Sequence, residues 1–168
     1  IKWMTDRLGL KIIDVELNNI NGGSFSITVA KKASHYKEAS AAVGKLLAAE
    51  EKQGFESLAP FERFRKKVFR HKDDLIQFIG EINAKGEKII GYGASTKGNV
   101  ILQFCNLMAS DMPFIAEINS DKFKSFTPGT CIPIISEEEA KAMKPDYLMV
   151  MPWHFKENIV QRESRYLE

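Results

Sequence analysis

The stretch from Lys88 to Val100, with Gly91, Tyr92, Gly93, Ala94, Ser95, Thr96, Lys97 and Gly98 in succession, holds the residue types best spaced to do chemistry. A short β-branched run leads into the glycines, and Ser95 and Thr96 are good helix N-cap types. A helix-length apolar segment follows. Strand, glycine turn and helix start together make an anion site, because the first amides of a helix lack intrahelical acceptors and sit at the positive end of its dipole. Glycine at 91 and 93 removes the Cβ atoms that would hold a phosphate off the backbone. Lys97, a cation in the first turn, opposes the dipole, and a bound dianion would reverse that sign. The spacing Gly-x-Gly-x-x-x-x-Gly departs from the strict dinucleotide fingerprint. A tight strand-to-helix turn with no ligand is the competing reading.

Alternating elements must position this turn. Residues 88–93 read as a strand, 95–108 as a helix, 113–118 and 131–135 as strands, 136–143 as a short helix, 146–151 as a strand and 155–165 as a last helix. Strands apolar along their length, alternating with helices, predict an α/β fold: a Rossmann-like, mostly parallel sheet with helices on both faces. Ligands of such sheets lie beyond the carboxyl ends of the strands. That places Glu117, Asn119, Lys122, Thr127 and Trp153 near the glycine turn. Glu117 ends the strand after the glycine helix, where a ribose-binding acid belongs, or it is a solvated strand end. Trp153 and His154 could stack on a base or contact a sugar, or simply pack.

Upstream, residues 1–9 read as a helix tail closed by Gly9. Residues 10–18 and 24–30 alternate as strands around Asn21-Gly22-Gly23, which predicts a β-hairpin. Two strands alone are marginally stable. The hairpin is therefore expected to dock on the helices that follow or to pair edge to edge in a homodimer. Ser34 is the expected cap of a helix running to about residue 52. A longer helix follows Pro60, with Phe61, Phe64, Val68, His71, Leu75, Phe78 and Ile82 on its seam. His71 on that seam is read as a core histidine ahead of a ligand.

The 168 residues carry a net charge of +2, without a basic block arguing for nucleic acid. Cys105 and Cys131 form no Cys-x-x-Cys pair and suit a reduced, cytoplasmic protein without a metal site. Apolar runs are too short to span a bilayer, so no membrane partner is expected. Both ends read as cut from a longer chain, with 167–168 resembling the start of a tag.

Four ordered motifs carry a family resemblance: Gly91-Tyr-Gly-Ala-Ser-Thr-Lys-Gly98, Thr127-Pro-Gly-Thr-Cys-Ile-Pro-Ile134, Pro145-Asp-Tyr147 and Met151-Pro-Trp-His154. Together they resemble the C-terminal domain of S-adenosylmethionine-dependent sugar C-methyltransferases. The resemblance implies a three-part parent that methylates a keto-sugar on a nucleoside diphosphate, as in deoxysugar biosynthesis. Its zinc module, methyl-donor site and catalytic His and Tyr residues would lie upstream. This chain would supply no catalytic residue, no metal ligand and no cofactor site, and would be inactive alone. Residues 1–33 would be a hairpin remnant of the methyltransferase domain, 34–86 a helical connector and 87–166 the nucleotide-sugar-binding domain. Substrate-binding candidates are Tyr92, Gly93, Ala94, Ser95, Thr96, Lys97, Glu117, Asn119, Lys122, Thr127 and Trp153. Its partners would be the nucleotide sugar and the rest of the parent. Family members usually carry Asp at the Glu117 position and often His at Asn21. The other readings are an NAD-type oxidoreductase module and a non-enzymatic interaction domain.

Overall fold

The computed structural model describes residues 1–167. The chain divides into two compact units, Ile1–Arg65 and the part from Lys66 onward. In the first unit, α1 (Lys2–Arg7) ends before Gly9, whose φ of +66° is the left-handed stop that glycine tolerates. β1 (Leu10–Asn18) and β2 (Ser24–Lys31) form the expected antiparallel hairpin, with one register irregularity between Ile12 and Asp14. Its turn holds Asn21, Gly22 and Gly23 at φ 56°, 86° and 129°, values that Asn and Gly reach at least cost. The hairpin packs on α1 and α2 (Ser40–Gln53), with Ile12 and Val43 buried.

Ser34 does not cap α2. The Ala39 N–H donates to the Ile12 carbonyl at 2.9 Å, which ties the preceding loop to β1, and the helix opens only at Ser40. Gly54 closes it in the left-handed region. α3 (Ala59–Ala84) is the long helix expected after Pro60, and it spans the division between the units. Of the expected seam only Ile82 is buried, together with Ile79 beside it, while Phe61, Phe64, His71 and Phe78 are exposed, so His71 is not the core histidine expected.

The second unit is the α/β fold. Its strands β3 (Ile89–Tyr92), β4 (Ile115–Glu117), β5 (Ile134–Ser136) and β6 (Tyr147–Val150) are all parallel, in the order β5-β4-β3-β6. Helix α4 (Thr96–Cys105) follows β3, α5 (Glu137–Ala142) follows β5, and α6 (Lys156–Arg162) and α7 (Ser164–Leu167) follow β6. Side chains alternate between the sheet faces, as the pleat requires. Ile89, Ile115 and Ile134 pack with Ile79, Ile82, Leu102 and Cys105 of α3 and α4. Ile90, Tyr92 and Ala116 pack with Ala140 of α5 and Ile159 of α6.

Element ends depart from expectation where local chemistry intervenes. Asn106, at φ 53°, stops α4 before residue 108. The strand expected at 131–135 starts only at Ile134, because a turn holds residues 127–132. α5 carries a full capping box between Ser136 and Glu139.

Gly91 lies inside β3, and a Cβ there would sit 2.3 Å from Ile115 Cδ1. Gly91→Ala should destabilise the protein by about 1–3 kcal/mol through overpacking. Ile115→Val removes the colliding methyl, so the double variant should lose less than the sum of the single losses. Additive losses in a denaturant-melt cycle would show that Gly91 is small for another reason.

Candidate functional site

The carboxyl ends of β3, β4 and β6 meet the start of α4, and the residues singled out by sequence gather there. Gly93 turns the chain at φ +88°, and a Cβ on it would lie 2.7 Å from Pro152 Cδ, just beyond β6. At Gly98 a Cβ would stand 2.6 Å from Met151 Cβ. Close packing of the protein against itself therefore requires all three glycines of the motif. The expectation that Gly91 and Gly93 clear space for a phosphate is corrected in its cause, although the turn remains where the fold places its ligands. Ser95 caps α4 as expected, its Oγ accepting from the Gly98 N–H at 3.0 Å.

Glu117 is the centre of the site. It is 6% exposed, and its Oε1 accepts from the Ile118 and Asn119 amides at 2.8 and 3.0 Å. Its Oε2 accepts from the Ala94 amide and from Lys122 Nζ, both at 3.0 Å. Lys122 Nζ also donates to the Ala94 carbonyl at 2.9 Å. Both polar groups of Ala94 are thus held by one ion pair. Burial alone would push the Glu117 carboxyl up, but the Asn119 amide, Lys122 and the Ile118 amide outweigh it and hold it below its ordinary value. The ribose-binding role expected of Glu117 is not the one its geometry serves, because its contacts fix the β3–α4 and β4–β5 loops. The Ala94 amide is likewise turned to Glu117.

The other candidates divide by what their side chains do. Lys97 Nζ stands 5.5 Å above the Trp153 ring, which is 53% exposed, and Thr96 is exposed in the first turn of α4. Thr127 is buried, its Oγ1 2.7 Å from Thr130 Oγ1 and accepting from the Ile132 N–H at 2.8 Å, so it shapes a turn. Asn119 caps its own short 3-10 turn through the Asp121 amide. Tyr92 is 1% exposed, and its hydroxyl accepts from Arg162 Nη2 at 3.0 Å. Burial and the Glu163 carboxylate push its phenol up.

Two clefts share Ala94, Ser95 and Lys122 as walls. One, of about 260 Å³, lies against α4 and includes Thr127 and Pro128. The other, of about 460 Å³, lies against α6 and includes Glu137, Asn158 and Arg162. Sequence reading missed Arg162, Glu137, Asn158 and also Asn99, whose buried Oδ1 has no partner and which lines the first cleft. Arg162 and Tyr92 stand far apart in the chain, and only the fold brings them together. Among the described residues no group of His, Cys, Asp and Glu could hold a metal ion. None of the described helices is long and apolar enough to cross a membrane.

A four-stranded parallel sheet flanked by helices, with polar residues clustered at the carboxyl ends of its strands, defines an α/β domain of the kind in which ligands lie at that edge. Residues 19–168 match the family described as the C-methyltransferase C-terminal domain, and the chain belongs to that family. It is also 31% identical over 160 residues to the C-methyltransferase NovU of Streptomyces niveus. That match covers 95% of this chain and 38% of NovU, so the chain spans well under half the length of this relative.

The Glu117 cluster sets a pH dependence. A carboxyl held below its ordinary value contributes stability that is complete above that value, 4.5 for Glu, and is lost as pH falls through the folded-state value. Glu117→Gln should cost roughly 3 kcal/mol near pH 7, by breaking a buried charge pair and setting an amide against the Ala94 N–H. Melting temperatures of the two proteins should converge as pH drops below about 4.5. A difference that stays constant from neutral to acid pH would show that the ionised carboxylate is not what holds the loops.

Proposed function

We propose that this domain is the substrate anchor of an S-adenosylmethionine-dependent C-methyltransferase that acts on a keto-sugar carried by a nucleoside diphosphate. Family membership supports the methyltransferase setting. The observation that carries the anchoring role is the start of α4, where Lys97 stands over Trp153 and Lys122 opens onto both adjoining clefts. The helix dipole and the Lys97 ammonium together favour a dianionic diphosphate, Lys122 keeps a partly exposed N–H edge beside its Glu117 partner, and Trp153 offers a flat face for a base.

The residues of this domain do not suit the methyl donor. A nucleoside cofactor on such a sheet needs a carboxylate at the end of the second strand for its ribose hydroxyls. By position that carboxylate is Glu117, and four internal donors occupy it. The same occupancy counts against an NAD-type module. Methyl transfer to a sugar carbon requires removing the proton beside the ketone and aligning the resulting nucleophile. In this reading the domain contributes alignment, since binding energy from the remote diphosphate positions the reacting carbon. Base and donor belong to other parts of the parent.

Lys97→Ala tests the anchor. A charge-assisted contact is worth roughly 1.5–3 kcal/mol, so binding of dTDP should weaken about tenfold to a hundredfold. Added salt should narrow the gap. The melting temperature should barely move. Unchanged dTDP affinity at low salt would put the phosphate site elsewhere. Calorimetry with S-adenosylmethionine should give no heat of binding on this chain, and micromolar binding would overturn the division of labour.

A further inference from the structure

We propose that the cleft against α6 binds a polyhydroxylated ring, the hexose or the ribose of the nucleotide sugar, through Arg162, Glu137 and Asn158. The assignment rests on the nucleotide-sugar reading above and gives the uncharged part of that ligand a place.

Arg162 is held on three sides. Its Nε donates to Glu163 Oε1 at 2.8 Å, and its Nη2 donates to the Tyr92 hydroxyl at 3.0 Å and to Glu137 Oε1 at 2.5 Å. These contacts run through Nε and Nη2, so the Nη1 edge of the guanidinium lies outside them. A fixed guanidinium edge therefore stands beside a fixed carboxylate edge, with the Asn158 carboxamide in the same cleft wall. Donor and acceptor set side by side match neighbouring hydroxyls, each of which can accept from one group and donate to the other. Phe155, half-exposed at the same wall, offers an apolar surface to the C–H face of a ring.

Charge selects the same chemistry. The charged side chains of the cleft wall are Arg162 paired with Glu137 and Lys122 paired with Glu117, which sum to zero, and Lys141 and Glu163 pair outside that wall. An anion gains little there and meets two carboxylates, whereas a neutral polyol meets no such repulsion. The cleft is continuous with the start of α4, since Ala94, Ser95 and Lys122 line it as well. A ligand with its diphosphate at α4 can thus extend its ring toward Arg162. Tyr92 touches no ligand in this arrangement. It is a positioning residue, buried beneath the guanidinium.

Calorimetric titration of the chain with UDP, dTDP, UDP-glucose and dTDP-glucose tests this. Asn158→Ala alters an exposed group and should leave the melting temperature nearly unchanged, whereas Glu137→Gln removes a partly buried ion pair and should lower it by a few degrees without unfolding the chain. Arg162→Lys keeps the charge and removes the fork. If the hexose sits in the cleft, all three variants should weaken both sugar nucleotides by about fivefold or more and leave UDP and dTDP within twofold. If the ribose sits there, UDP and UDP-glucose should weaken together, while the dTDP ligands, which lack the 2′-hydroxyl, change less. Four ligands that bind the unsubstituted chain and are all unmoved by Asn158→Ala and Glu137→Gln would overturn the assignment alone. Failure of all four to bind the unsubstituted chain would overturn the nucleotide-sugar reading and this site with it.

Discussion

A buried carboxylate cannot stay ionised without donors, and the geometry around Glu117 answers that requirement. The side chain starts on β4 and reaches the β3–α4 loop, collecting the Ala94, Ile118 and Asn119 amides and the Lys122 ammonium. Removing any of these leaves a charge without its full set of partners in a poorly solvated place. Two loops that share no sequence are therefore locked to one another by a single side chain. The clamp also forms the wall common to both clefts, because Ala94 and Lys122 line the α4 cleft and the α6 cleft alike.

Backbone proximity is the second constraint, and it follows from where the clamp puts the chain. Gly93 passes against Pro152, and Gly98 lets α4 settle on Met151, so the helix start lies close over the end of β6. Glycine is needed at 93 on two counts, the positive φ and the missing space. At 91 the backbone is ordinary strand, and only the collision with Ile115 forbids a side chain. The segment that looked like a phosphate loop is first of all a packing device. Its position at the carboxyl end of a central parallel strand keeps it at the ligand edge of the fold.

Much of this architecture was legible because its signals are local. Two-residue alternation marked the hairpin, and Asn21-Gly22-Gly23 fixed its turn chemistry. Apolar strand runs separated by helices marked the parallel sheet, and Ser95 marked the start of α4. What escaped is non-local. Ser34 has the right chemistry for a cap, but the bond between Ala39 and Ile12 decides where α2 begins. Glu117 could be recognised as a carboxylate at a strand end, yet nothing near it in sequence shows that the Ala94 amide comes to meet it. Arg162, on a short helix after β6, gave no signal because its partner Tyr92 is buried at the end of β3.

The two sides of the clamp differ in charge, and that difference bears on what one ligand can span. Lys97 sits at the α4 start, and Lys122 contributes its charge to Glu117 while remaining partly exposed. The α6 cleft wall carries Arg162 matched to Glu137 and the same Lys122–Glu117 pair. A dianion and a polyol joined by one bond would meet complementary surroundings on both sides at once. Each contact alone is weak in water. Joined in one molecule, the second contact forms at high effective concentration once the first is made. Exchanging the two halves would set phosphate against Glu137 and Glu117 of that cleft wall, so the charge arrangement favours one orientation of such a ligand over its reverse. An anchor that works by alignment needs that directional preference as much as it needs affinity, since a bound but reversed substrate would hold its reacting carbon at the wrong end.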